Sequence, residues 1–270
     1  MAEDATAPVA VITGASEGLG LALANEFARA GHALLLVARS RPVLESAAGA
    51  IREQTGVDVH VHSADLSTRE GCEGTERALA ARGLHAEYLV NNAGMGLSGP
   101  LVENEIDDLM RMADLNMRAL TDLTRRFLPG MITRNSGGVL NISSLAGFLP
   151  GPFQAAYYAS KAYVISLSEA LAWEVSGTGV RVCVFAPGPL KTGIHRRMKS
   201  QNDYYLRFQG VMDVEEAARI AYGGFMRGRK VIVPGLINNL SAIFLRAAPH
   251  TLLVPFAAWL LRRREGSGDA

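Results

Sequence analysis

Val9-Ala10-Val11-Ile12-Thr13-Gly14-Ala15-Ser16-Glu17-Gly18-Leu19-Gly20 is an apolar run that breaks into a cluster of glycines, and Leu19–Ala30 continues it with helical spacing. This is a strand that turns straight into a helix. In that context each glycine has a use. Gly14 permits a tight turn, Gly18 lets the backbone approach a diphosphate, and Gly20 lets the helix pack close to the strand. The first turn of the helix then faces the same space with unpaired N–H groups and a favourable dipole. Gly14, Ser16, Glu17, Gly18, Leu19 and Gly20 are therefore candidate binding residues. The spacing Gly-x-x-x-Gly-x-Gly differs from the commoner Gly-x-Gly-x-x-Gly, and a glycine-rich turn with no ligand is the alternative reading of this loop alone.

The same strand–helix alternation extends outward along the chain. Ala33–Val37, Val57–His62, Tyr88–Asn91, Gly138–Ser143 and Val180–Ala186 read as further strands, and Val231–Val233 as a last one. Several are near-continuous apolar runs, as strands covered on both faces require. Arg41–Gln54, Arg69–Arg82, Asn104–Phe127 and Gln154–Val175 read as the intervening helices. The pattern predicts an α/β fold, a single doubly wound parallel sheet flanked by helices. No linker divides the 270 residues, so one domain is expected, with a core of about 7–233 and an apolar helical tail over 234–270. Net charge is +1, which gives no electrostatic case for nucleic acid. Cys72 and Cys183 stand far apart in no metal-ligand pattern and read as buried thiols; no metal is expected. Met1–Pro8 is short, acidic and polar, unlike a signal peptide, and a cytoplasmic location is expected.

Two further stretches carry chemistry. After the second strand, Val37-Ala38-Arg39-Ser40-Arg41 has two arginines and no acid. An acid there would accept from adenosine ribose hydroxyls, whereas an arginine fork suits a phosphate, so NADP(H) is favoured over NAD(H), with Arg39 as its contact. In Tyr157-Tyr158-Ala159-Ser160-Lys161, Tyr157 and Lys161 lie one helical turn apart and share a face. A neighbouring ammonium favours a phenolate, so this pair is expected to lower the Tyr157 pKa and make it a general acid/base. Tyr158 has no lysine at that spacing and reads as packing or pocket wall.

Thr13-Gly14-x-x-x-Gly18-x-Gly20, Asn91-Asn92-Ala93-Gly94, Asn116, Ser143-Ser144, Tyr157-x-x-x-Lys161 and Pro187-Gly188 fall in order. The chain resembles the short-chain dehydrogenase/reductase family over roughly Ala7 to Val233, with a tail similar to the ketoacyl and ketosteroid reductases. The resemblance implies a catalytic set of Asn116, Ser144, Tyr157 and Lys161. In it Tyr157 exchanges a proton with the carbonyl oxygen and Ser144, thirteen residues earlier, holds that oxygen. Lys161 bonds the nicotinamide ribose, and Asn116 holds a water that relays protons to Lys161. It also implies cofactor contacts at Asp65 and Leu66 around the adenine, at Asn92, Ala93 and Gly94, at Tyr157 and Lys161, and at Pro187, Gly188 and Thr192 beside the nicotinamide. Capping of the following helix is the other reading of Asp65. The implied activity is an oxidoreductase, a homodimer or homotetramer, acting on a small lipophilic ketone or secondary alcohol. A non-catalytic dinucleotide sensor or a membrane-tethered scaffold with the same fold is the competing class.

Beyond Thr192 comes a basic segment, Gly193-Ile194-His195-Arg196-Arg197-Met198-Lys199, joined by Arg207. It reads as a solvated face in preference to a site for an acidic or phosphate-bearing substrate, and His195 has little claim to catalysis. The tail has no charged side chain from Val231 to Leu245 or from Ala247 to Leu261, and Arg262-Arg263-Arg264 follows. Neither stretch has the ~18–20 apolar residues of a spanning helix. Pocket wall, oligomer interface and peripheral membrane contact are its three readings, the first two preferred.

Overall fold

The computed structural model describes residues 6–191 and 211–261. The strands are β1 (Ala7–Thr13), β2 (Leu34–Ala38), β3 (Val59–Ser63), β4 (Leu84–Asn91), β5 (Gly138–Ile142), β6 (Arg181–Phe185) and β7 (Val231–Ile232). They form one sheet in the order β3-β2-β1-β4-β5-β6-β7, with every pairing parallel. The order reverses between β1 and β4, which opens a crevice at the C-terminal ends of those strands, where such sheets place ligands.

Alternation along β1 explains its unbroken apolarity. Ala10 and Ile12 enter one core layer with α1 (Gly18–Arg29), α2 (Arg41–Thr55) and α7 (Val214–Met226). Val9 and Val11 enter the other, with α3 (Arg69–Ala80) and α5 (Ala119–Arg134). Both faces are covered, so both sets of side chains must be apolar. Each fully buried Val, Leu or Ile contributes roughly 1.5–3 kcal/mol relative to an exposed one. Phe27 on α1 ties the first layer together, edge-on to Tyr222 of α7 at 4.8 Å and tilted against Tyr88 and Phe225.

Three elements depart from the sequence reading. The helix expected over Asn104–Phe127 is α4 (Ile106–Ala113), a π turn at Asp114–Arg118, and α5, which continues to Arg134 through Pro129. Leu128 and Met131 pack in the core on either side of that proline, and their burial outweighs the one hydrogen bond proline removes. Helix α7 was not foreseen. The tail forms two helices, α8 (Leu236–Ala247) and α9 (His250–Leu261), parted at Ala248-Pro249. No described helix is long and apolar enough to cross a membrane.

Candidate active site

The glycine loop is built tightly against the end of β4. Gly14 has φ 65° and Gly18 φ 58°, in the left-handed region that other residues enter at a cost. A Cβ on Gly20 would overlap the Gly14 carbonyl oxygen, and one on Gly14 would lie 2.8 Å from Asn92 Nδ2. Asn92 is the brace of this loop: its Nδ2 donates to the Thr13 and Gly14 carbonyls at 2.9 and 3.3 Å. The N–H groups of Asn92 and Ala93 donate to Thr13 Oγ1. Glu17 precedes α1 without a capping side-chain hydrogen bond, so the first-turn N–H groups keep their bonding capacity for an acceptor. Leu19 turns its side chain into the core, which leaves its main chain for any contact.

The adenosine end is assembled from β2 and β3. Gly14 N–H donates to the Val37 carbonyl at 2.8 Å, which holds the end of β2 beside the glycine loop. Two residues on, Arg39 is exposed, its carbonyl pinned by Ser63 Oγ at 2.7 Å. Among the described residues Arg39 makes no ion pair, whereas Arg41 leans on Glu45 at 3.6 Å. Arg39 is thus the free guanidinium of the two. Asp65 accepts from the Ser67 N–H and hydroxyl on one oxygen and from Arg111 at 2.8 Å on the other. Burial pushes its carboxyl up, but the Ser67 and Arg111 bonds outweigh it and hold the group below the usual range. It does not cap α3; Thr68 does, accepting from Gly71 N–H at 3.0 Å. The Leu66 side chain is buried in the core.

At the end of β5 the two serines separate. Ser143 donates to the Lys161 carbonyl at 2.8 Å and is buried, a strut between β5 and α6 (Ala155–Glu174). Ser144 accepts from Ala146 N–H, and its hydroxyl acts on the Tyr157 phenol to oppose the rise of its pKa. Tyr158 packs edge-on to Tyr157 at 6.2 Å and fills the space a Cβ on Gly151 would need.

The expectation that Lys161 softens the Tyr157 phenol is corrected here. Burial pushes the phenol above its ordinary value, and the Ser144 hydroxyl only opposes that rise. Helical spacing does bring the two side chains together, with Nζ 5.8 Å from the ring centroid. The ammonium is aimed elsewhere, donating to the Ile142 carbonyl at 3.1 Å, and its own burial lowers its pKa to about 8.

Asn116 sits in the π turn, buried, and spans two elements. Its Oδ1 accepts from Met95 N–H at 2.9 Å, and its Nδ2 donates to the Met95 carbonyl and to Ser160 Oγ at 2.8 and 3.0 Å. Ser160 in turn donates to the Tyr157 carbonyl at 2.7 Å. A Cβ on Gly94 would lie 3.2 Å from Asn116 Oδ1 and 3.7 Å from Lys161 Nζ, so Gly94 keeps this corner open. Ser160 was not singled out from sequence, although it stands inside Tyr-x-x-x-Lys. A second unforeseen chain of amides lies beneath: Asn91 Nδ2 donates to Thr124 and Asn141, and Asn141 Nδ2 to Ser168, all buried. It fixes the ends of β4 and β5 against α5 and α6.

Pro187 and Gly188 leave β6, and the Pro187 carbonyl accepts from Leu145 N–H at 2.9 Å. Gly188 abuts Asn238 of α8, so that a Cβ there would lie 3.0 Å from Asn238 Nδ2. That amide donates to the Pro234 carbonyl at 2.9 Å, while its buried Oδ1 has no partner among the described residues. Asn238 thus couples the tail to the loop after β6. Gly188→Ala is expected to lower the melting temperature, and Asn238→Ala in the same chain to restore most of the loss. Additive losses in that double-mutant cycle would refute the coupling. Thr192, His195, Arg196, Arg197, Lys199 and Arg207 lie outside the described residues.

The glycine cradle and the first turn of α1 fit the diphosphate of a dinucleotide, and Arg39 stands at the end of β2 beside them. Asn116, Ser144, Tyr157 and Lys161 are drawn together from a π turn, a strand end and one helix. A family model described as short chain dehydrogenase matches residues 8–203. The very-long-chain 3-oxoacyl-CoA reductase of Anas platyrhynchos is 38% identical over 198 residues, covering 72% of this chain and 63% of the reductase. The chain therefore spans less than two thirds of that relative's length. A short-chain dehydrogenase from Sphingobium yanoikuyae in complex with NADPH superposes with a TM-score of 0.79 at 32% identity, covering 97% of this chain and 98% of the other. The bulky-bulky ketone specific alcohol dehydrogenase from Comamonas testosteroni gives 0.74 at 30% identity, covering 98% of each chain.

Proposed function

The chain belongs to the short-chain dehydrogenase family, and from that premise we propose that it is an NADP(H)-dependent oxidoreductase interconverting a ketone and a secondary alcohol on a lipophilic substrate. The observation that carries this reading is the convergence of Ser144, Tyr157, Lys161 and Asn116 near the ends of β4 and β5. A lipophilic carbonyl is supported by relatives whose names specify very-long-chain 3-oxoacyl-CoA and bulky-bulky ketones. NADP(H) is supported by the NADPH complex of one neighbour and by the acid-free end of β2.

When bound, a reduced nicotinamide supplies the hydride. The protein's part is positional and electrostatic. Tyr157 keeps its proton at neutral pH, because burial raises its pKa, and so stands ready as the acid that protonates the carbonyl oxygen in reduction. Ser144, whose hydroxyl acts on the Tyr157 phenol, presents that hydroxyl to the same oxygen and stabilises charge developing there. Lys161 places a cation behind the phenol, and Asn116 and Ser160 lock the helix turn that carries both residues. The Gly14–Gly20 loop and the first turn of α1 would hold the diphosphate, and Arg39 the phosphate on the adenosine ribose.

A panel of ketones and secondary alcohols with NADPH, NADH and their oxidised forms, read at the nicotinamide absorbance, tests the reading. No turnover of any lipophilic ketone would favour the dinucleotide-sensing or scaffold class. For the cofactor, Arg39→Asp is expected to weaken NADPH by roughly tenfold to a hundredfold more than NADH, since a lost charge-assisted bond to phosphate becomes a repulsion. Equal losses for the two dinucleotides would remove Arg39 from the site.

A further inference from the structure

Phe153 stands in a backbone conformation that its side chain makes costly. Among the described residues two that are not glycine have positive φ, Asn135 at 54° and Phe153 at 66°. Asn135 ends α5, a place where asparagine commonly enters the left-handed region. Phenylalanine has no such reason to be there, and a bulky residue at positive φ is strained. Its neighbours hold it in place. The Phe153 carbonyl accepts from Gly99 N–H at 2.7 Å, and Gln154 N–H donates to the Gly151 carbonyl at 3.2 Å. Gly151 abuts the Tyr158 ring, whose atoms would come within 2.4 Å of a Cβ there. Strain fixed in this way by its surroundings clusters at sites where a side chain has to be aimed. Glycine would take this φ freely, so the ring is what the strain serves.

The place of that ring follows from what it does not join. Phe153 is half-buried, yet it belongs to none of the core clusters and pairs with no other aromatic ring among the described residues. Met95, Leu97 and Leu149 are likewise half-buried and outside the core. Met95 and Leu97 follow Gly94 beyond the end of β4, and the Met95 N–H and carbonyl are both bonded to Asn116. Leu149 and Phe153 stand between Ser144 and Tyr157, on the stretch that joins β5 to α6. The Gly99–Phe153 hydrogen bond ties the two loops together, one residue before the N-cap of the helix that carries Tyr157. Apolar side chains that are neither core nor freely exposed, gathered beside convergent polar groups, line a cleft.

We propose that Phe153 is a specificity-determining residue whose ring, with Met95, Leu97 and Leu149, forms the wall that receives the hydrocarbon part of a bulky ketone or secondary alcohol. The oxygen of that substrate then meets Tyr157, and the wall decides how large a substituent fits beside it. This role rests on the oxidoreductase reading and adds to it the residue that selects for bulk.

Wild type, Phe153→Gly and Phe153→Leu are compared with NADPH on cyclohexanone and on benzophenone, and by thermal melting. In Phe153→Gly the kcat/KM ratio of benzophenone to cyclohexanone is expected to fall roughly tenfold to a hundredfold, since apolar contact is lost to the bulky substrate alone. Its melting temperature is expected to equal or exceed that of wild type, because glycine relieves the positive φ. Phe153→Leu, which keeps apolar bulk, is expected to hold most of the ratio. An unchanged ratio in Phe153→Gly, or a wild type that reduces cyclohexanone alone, overturns the proposal. So does an equal fall on both ketones with a lower melting temperature, the mark of a packing residue. A wild type that turns over neither ketone counts against the reaction, and the cleft is then read by the rise in melting temperature that diphenylmethanol causes in the presence of NADP⁺. That rise is expected in wild type and lost in Phe153→Gly; an equal rise in both, or none in wild type, overturns the role of Phe153.

Discussion

Tyr157→Phe is expected to lower kcat by roughly 10²–10⁴ while leaving dinucleotide affinity nearly unchanged. The substitution removes one oxygen from a side chain held by its neighbours: Ser160 pins the Tyr157 carbonyl and Tyr158 packs edge-on against the ring. The ring keeps its place, so the loss falls on proton transfer and not on binding. The matched control is Tyr158→Phe, whose phenol lies one position from the lysine register and should be nearly silent in kcat. The pH dependence separates the roles further. With a phenol raised by burial, the reductive direction should hold its rate through neutral pH and fall only at alkaline pH, as the proton is lost. Near-normal turnover in Tyr157→Phe, measured in single-turnover mode so that product release cannot mask chemistry, would sink the assignment.

Lys161→Met should do two opposite things: abolish most turnover and stabilise the fold. Burial lowers the Lys161 pKa to about 8, against an ordinary value of 10.5. Below about pH 8 both the folded and unfolded chains carry the charge, and the folded chain bears the full cost of burying it. Between about 8 and 10.5 the unfolded chain keeps a proton that the folded chain has shed, so wild-type stability rises with pH through that window. Methionine carries no such cost and forfeits one hydrogen bond to the Ile142 carbonyl. The net gain near pH 7 is on the order of 1–2 kcal/mol, or a few degrees in Tm, and it should shrink as the pH is raised toward 10.5. A variant that melts lower than wild type at pH 7 would refute the account of a stability cost kept for function. Unchanged turnover would refute the catalytic one.

The parallel sheet could be read from the chain because its evidence is local. Val9–Ile12 is apolar at consecutive positions, as a strand covered on both faces requires, and the glycines after Thr13 mark the turn that ends it. The seven strands fall within a few residues of where the apolar runs place them, the largest difference being the start of β4 at Leu84. Helix α7 escaped because Val214–Met226 follows a segment whose polarity hides its register. The π turn escaped for a different reason. Asn116 is a mediocre helix former, but the widening of the helix around it is fixed by partners 21 and 44 residues away, Met95 and Ser160.

Motif order along the chain was enough to specify the fold family, and residue type at fixed spacing named the candidate catalytic set and Arg39 as a proposed phosphate contact. Folding in three dimensions settled what spacing leaves open. It assigned Ser143 to a backbone carbonyl and Ser144 to the phenol, turned Asn92 toward the glycine loop, and aimed Lys161 at Ile142. It also raised the Tyr157 pKa where the sequence argued for a lower one, and set large apolar side chains of the tail facing out. Burial and hydrogen-bond direction depend on atoms brought together from distant parts of the chain, and a linear pattern carries no record of which way a side chain will point once they meet.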